Sequence, residues 1–193
     1  MEVAGSVALV TGANRGFGAS LCAALLERGA TKVYAGARDA STVRQSGLEP
    51  VQLDITSAED IEAAVRHCGD VTLLVNNAGI GTGTSVLAPD ALEMAQREFE
   101  TNTLGPLAMS RAFAPVLGAN GGGAIVNVLS VLAWFSTPQS ALYCAAKAAS
   151  WSLTNALRLE LLGQGTQVVG VHVGLMDTDM TAGMKAPKSS QTR

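Results

Sequence analysis

The sequence predicts an α/β fold, a single domain built on a doubly wound parallel sheet of about six strands. Three observations carry this. The apolar runs are short and continuous, segments with helical periodicity separate them, and the first run leads through a glycine-rich turn straight into the first such segment.

The strand candidates are Val7–Gly12, Lys32–Ala37, Pro50–Ile55, Val71–Gly79, Ala124–Ser130 and Gln167–Gly174. They are continuous apolar runs instead of alternating ones, as strands covered on both faces are. Helix candidates lie between them: Gly16–Arg28, a weak one near Ala40–Gln45, Ala58–His67, Asp90–Leu117 and Ser140–Leu162. Gly29, Gly69, Gly118 and Gly163 stand just past four of these as stop signals. In "TSAED", Thr56 or Ser57 can cap a helix whose first turn is acidic. The expected domain runs over 1–180, with a loose polar tail at 181–193.

A chain of 193 residues holds one sizeable core. The net charge of −3 comes with no basic cluster to track a phosphate backbone, so nucleic acid is not an expected partner. No apolar run reaches membrane-spanning length, and the acidic N-terminus does not resemble a signal peptide. Three widely spaced cysteines without a CxxC point to a reducing, cytoplasmic setting and no metal site.

The first strand enters "TGANRGFG", Thr11–Gly18, and then a helix. Gly12, Gly16 and Gly18 let the backbone turn sharply and approach a pyrophosphate, which rests on the helix N-terminus. Asn14, Arg15 and Phe17 complete this candidate cofactor-binding turn. About 20 residues on, an acid would bind the ribose 2′-hydroxyl of NAD. Here Ala37 and Arg38 end the second strand, and Arg15 can reach the same place. Two guanidiniums without an acid suit a 2′-phosphate, so NADP(H) is favoured over NAD(H). Asp39, one residue later, is the counter-argument, and an ordinary solvated role for Arg38 stays open. Asp54 either accepts from the adenine amino group or caps the helix that follows it.

In order, "TGANRGFG", Asp54, "NNAG" (Asn76–Gly79), Asn102 in "TNTLG", Ser130 and "YCAAK" (Tyr143–Lys147) resemble the short-chain dehydrogenases/reductases. The resemblance covers the chain to about Met180. It implies a Rossmann sheet in the order 3-2-1-4-5-6 and an oxidoreductase using NAD(H) or NADP(H). The "NRG" and "AR" variants imply NADP(H). Asp54 and Ile55 would flank the adenine, and Asn76, Ala78 and Gly79 the ribose side.

Tyr143 and Lys147, four residues apart, share one helix face. By itself the pair reads as a core tyrosine and a surface lysine; Ser130 and the glycine turn change that reading. A neighbouring cation lowers a phenol's pKa and makes it a general acid or base near neutrality. Ser130, thirteen residues earlier at a strand end, can donate to a substrate oxygen that gains negative charge. The resemblance gives Lys147 a second use, holding the nicotinamide ribose. It also makes Asn102 the residue that bends its helix and holds a proton-relaying water. The expected catalytic set is Asn102, Ser130, Tyr143 and Lys147.

Past the last strand, Val173 stands where the family has proline, and Thr178 fills the position that reaches the nicotinamide carboxamide. The family continues into further helices and a seventh strand that this sequence does not supply. The expected substrate side is therefore open, bounded by Val131, Leu132, Trp134, Phe135, Leu175 and Met176, which suits a small apolar carbonyl or alcohol. The same side chains could be core contacts. The main expectation is an NADPH-dependent carbonyl reductase, paired as a homodimer through its long helices. The alternative is an NADP(H)-binding protein with little catalysis, a sensor or partner-binding module.

Overall fold

A computed structural model of the chain describes residues 1–176; Thr178 and the expected tail lie outside them. Six parallel strands form one sheet: β1 (Val7–Thr11), β2 (Lys32–Ala37), β3 (Glu49–Gln52), β4 (Leu73–Asn76), β5 (Gly123–Ser130) and β6 (Thr166–Val173). Their order is β3-β2-β1-β4-β5-β6, as the family resemblance implies. The order reverses between β1 and β4, where Val10 lies beside both Ala35 and Val75. Open α/β sheets bind ligands in the crevice at the carboxyl ends of such strands.

The continuous apolar runs follow from the layering. On one face Ala8, Val10, Val33, Ala35 and Val75 pack with Cys22 and Leu25 of α1 (Gly16–Glu27). On the other, Leu9, Leu74 and Ile125 meet Ile61 of α2 (Ala58–His67) and Met109, Phe113 and Leu117 of α4 (Gly105–Ala119). Leu157 of α5 (Ala141–Glu160) closes that layer. Neighbouring residues of β1 from Ala8 to Val10 thus face opposite cores, which leaves those positions apolar. No helix among the described residues is long and apolar enough to cross a membrane.

Two of the expected helices differ in kind. The Ala40–Gln45 segment is only a 3₁₀ turn, Ala40–Thr42, begun by Asp39, whose carboxylate accepts from the Ser41 amide at 3.0 Å. The expected Asp90–Leu117 helix is two helices, α3 (Ala91–Phe99) and α4, joined by a π-helical turn over Glu100–Leu104. Pro106 lacks the N–H that would bond the carbonyl of residue 102, so the regular i→i−4 pattern fails there.

Candidate active site

The carboxyl ends of β1 and β4 are sewn together. Thr11 Oγ1 accepts from the amides of Asn77 (3.0 Å) and Ala78 (2.9 Å). Asn77 Nδ2 donates to the carbonyls of Thr11 (2.9 Å) and Gly12 (3.2 Å). These bonds take Asn77 out of the ladder, which is why β4 stops at Asn76 and not at Gly79. The turn into α1 then runs under Ala78. A Cβ on Gly12, at φ +64, would lie 2.9 Å from Ala78 Cα, and one on Gly18 would lie 2.1 Å from the Gly12 carbonyl oxygen. A backbone cradle that excludes side chains, opening onto a helix N-terminus, fits a dinucleotide pyrophosphate. Asn14 Nδ2 ties the turn to Thr42 Oγ1 at 3.0 Å. Phe17 lines a surface pocket together with Leu21, Val126 and Val128.

Arg38, just past β2, and Arg15, at the start of α1, are both exposed. The Asp39 carboxylate is engaged by Ser41, through its amide and a 2.6 Å hydroxyl contact. Asp54 Oδ1 accepts from the Thr56 amide (2.9 Å) and hydroxyl (2.7 Å). Burial pushes the Asp54 pKa up, but the Thr56 bonds and the charge of Arg38 outweigh it and hold the group below its ordinary value. The cap of α2 is Ser57, whose Oγ accepts from the Asp60 amide at 3.2 Å. Ile55 is buried in the α2–α4 core. Asn76 also turns inward: its Nδ2 donates to Asn127 Oδ1 (2.8 Å) and Ser110 Oγ (3.1 Å). Its side chain therefore braces β4, β5 and α4.

Ser130, Tyr143 and Lys147 come together at the end of β5. Ser130 Oγ accepts from the Leu132 amide at 3.1 Å, which begins a 3₁₀ turn and leaves the hydroxyl proton for Tyr143. Lys147 is buried; its Nζ donates to the Val128 carbonyl at 2.9 Å and stands 5.7 Å from the centroid of the Tyr143 ring. The expected direction of the phenol's pKa is corrected here. Burial raises Tyr143 to about 12, against the hydrogen bond from Ser130, and the charge of Glu98 pushes it further up. Burial is also what lowers Lys147, to about 8, so the ammonium pays the electrostatic cost and not the phenol.

Asn102 sits in the π-turn with no exposed surface. Its Oδ1 accepts from the Ile80 amide at 3.0 Å and its Nδ2 donates to the Ile80 carbonyl at 2.9 Å. Gly79 lies between this amide and the ammonium: a Cβ there would be 2.9 Å from Asn102 Oδ1 and 3.8 Å from Lys147 Nζ. On the outer side, Trp134 and Phe135 are exposed, while Val131, Leu132, Leu175 and Met176 are partly so.

Four residues of this site carry roles that the sequence expectations did not assign. Thr11 and Asn77 stitch β1 to β4. His172 Nδ1 lies 3.0 Å from the Ser130 carbonyl, which can only accept, and its ring stacks on Trp134 with centroids 4.4 Å apart. Glu98 of α3 is fully buried. Its signal was available: it falls seven residues, two helical turns, after Ala91, on the helix's buried face.

The short chain dehydrogenase family matches residues 6–189. An NADP-dependent 3-hydroxy acid dehydrogenase of Schizosaccharomyces pombe is 30% identical over 191 residues, covering 92% of this chain and 74% of that protein. A crystal structure of a short chain dehydrogenase from Burkholderia cenocepacia in complex with NADP superposes with a TM-score of 0.95 at 44% identity, over 99% of this chain and 81% of that one. A 3-ketoacyl-(acyl-carrier-protein) reductase from Brucella melitensis, complexed with NADH, gives a TM-score of 0.86 at 30% identity, over 98% of this chain and 87% of that one.

Proposed function

Because this chain belongs to the short-chain dehydrogenase/reductase family, we propose that it is an NADP(H)-dependent oxidoreductase interconverting a carbonyl and an alcohol. The observation that carries the reading is the meeting of Ser130, Tyr143 and Lys147 beside the glycine cradle, at the carboxyl edge of the sheet. The nicotinamide, when bound, supplies or accepts the hydride. Tyr143, protonated at neutral pH, gives its proton to the carbonyl oxygen, and Ser130 donates a hydrogen bond to that oxygen as its charge grows. The Lys147 ammonium stabilises the phenolate left behind. Asn102 holds the π-turn against Ile80 and so fixes the wall beside Lys147. The exposed Trp134 and Phe135 give the substrate an apolar rim, consistent with a ketone or aldehyde carrying an apolar group.

The preference for NADP(H) rests on the exposed Arg38 just past β2 and Arg15 at the start of α1, with Oδ1 of Asp39 turned to Ser41. Arg38→Ala is expected to weaken NADPH binding about 10–100-fold, the worth of one or two charged hydrogen bonds, and to leave NADH nearly unchanged. Fluorescence titration with both cofactors checks this; tighter NADH binding by the unmutated chain would refute the preference. A screen of aliphatic ketones, aromatic ketones, aldehydes and 3-oxoacyl thioesters, followed by NADPH absorbance, is expected to find turnover. Tight NADPH binding with no turnover on any of them would favour the cofactor-binding protein instead.

A further inference from the structure

Glu98 is a buried acid beside the site that the proposed reaction leaves without a task. It lies on α3, which packs against α5, and has no exposed surface. Oε1 accepts twice from Thr82, from the amide at 2.7 Å and the hydroxyl at 2.6 Å. Oε2 is buried and meets no donor among the described residues. Donors on one oxygen quench the charge only in part, and a buried charge is felt farther than an exposed one. Four residues on, Asn102 clamps Ile80 from both sides, and its amide converges with Lys147 Nζ on Gly79. Carboxylate and amide thus pin the 79–82 segment at Thr82 and Ile80, and the first residue of that segment, Gly79, lies against the ammonium.

We propose that Glu98 is a positioning residue for the reaction: a buried counter-charge that keeps Lys147 an ammonium while anchoring the 79–82 segment through Thr82. This rests on the reading of Tyr143 and Lys147 given above. The groups facing the pair are Glu98 from α3, Cys144 beside Tyr143 on α5, Ser130 from the end of β5 and the uncharged Asn102 from the π-turn. Burial drives the Lys147 proton off and Glu98 opposes it. At Tyr143 burial retains the proton, Ser130 opposes, and Glu98 and Cys144 add to retention. Glu98 therefore favours the protonated form of both groups, the state from which a carbonyl is reduced.

The test is a titration of Lys147 by NMR of the full chain carrying ¹³C-labelled lysine, with its signal assigned by its loss in Lys147→Met. In Glu98→Gln the amide oxygen can still accept from Thr82 while the charge is gone. The Lys147 midpoint is expected to fall by about one pH unit, the effect of removing a nearby opposite charge. Glu98→Asp, which keeps the charge on a shorter arm, is expected to hold the midpoint near that of the unmutated chain. Glu98→Met serves as the neutral variant should Glu98→Gln fail to fold. A midpoint unmoved in the neutral variants, or lowered equally in Glu98→Asp, overturns the proposal and leaves Glu98 a strut for Thr82. Since no turnover is read, a chain inactive on every carbonyl would sink the proposed function without deciding this result.

Discussion

Tyr143→Phe is expected to lower NADPH-dependent carbonyl reduction by about 10²–10⁴-fold, the usual worth of a positioned general acid. The ring keeps its place on α5, because its packing does not depend on the hydroxyl. Lys147 keeps its bond to the Val128 carbonyl, so the charge beside the cofactor cleft is unchanged. NADPH affinity should therefore stay within a few-fold, and the loss should fall on kcat. Steady-state rates paired with an NADPH binding titration separate the two. Retained turnover would remove Tyr143 from the chemistry, and lost binding would make its role structural. The unmutated enzyme should also lose reductase activity as pH rises through about 8, where Lys147 gives up its proton. The sign follows from burial: it favours the neutral amine, so the charge goes at a lower pH than for a solvated lysine.

Gly18→Ala is expected to have the second largest effect. The new methyl would stand 2.1 Å from the Gly12 carbonyl oxygen and 2.6 Å from Asn77 Nδ2. The first of these is backbone, so the turn itself must move, and the movement breaks the Asn77 bridge that joins it to β4. Overpacking of this kind costs about 1–3 kcal/mol, which for a chain this long lowers Tm by roughly 2–12 °C. The larger loss is in the cradle: NADPH affinity should fall by at least about tenfold, since each displaced amide gives up about 1 kcal/mol or more. Gly163→Ala, with nothing within 4 Å of its added carbon, is the control for the same chemical change. Thermal melts and NADPH titrations of both variants suffice. A Gly18→Ala chain that binds NADPH normally would show that the turn does not carry the pyrophosphate.

What was legible in the sequence was local. Helical spacing put Tyr143 and Lys147 on one face, and glycine spacing marked the turn after β1. What escaped depends on distant partners. Asn77 and Thr11 are 66 residues apart and meet only when β4 pairs with β1. The ribose-side reading of Asn76 came from the family resemblance; that its side chain bonds Asn127 depends on β4 pairing with β5 and could not be read locally. Asp54 could not be read between cap and adenine contact, because Ser57 stood ready as a second cap. The direction of the Tyr143 pKa failed for the same reason. The lysine four residues away was visible, but the burial of both groups was not, and desolvation outweighs proximity.

The π-turn at Glu100–Leu104 also works as a phase shifter. One residue is worth about 100° of rotation about a helix axis. The wide turn lets a single continuous rod present Glu98 toward α5 and the active-site loop, then Met109, Phe113 and Leu117 toward the sheet. Deleting one residue to make the rod regular would swing one of these two faces out of register. The irregularity at Asn102 is thus what lets the rod serve the hydrophobic layer at one end and the polar chemistry at the other.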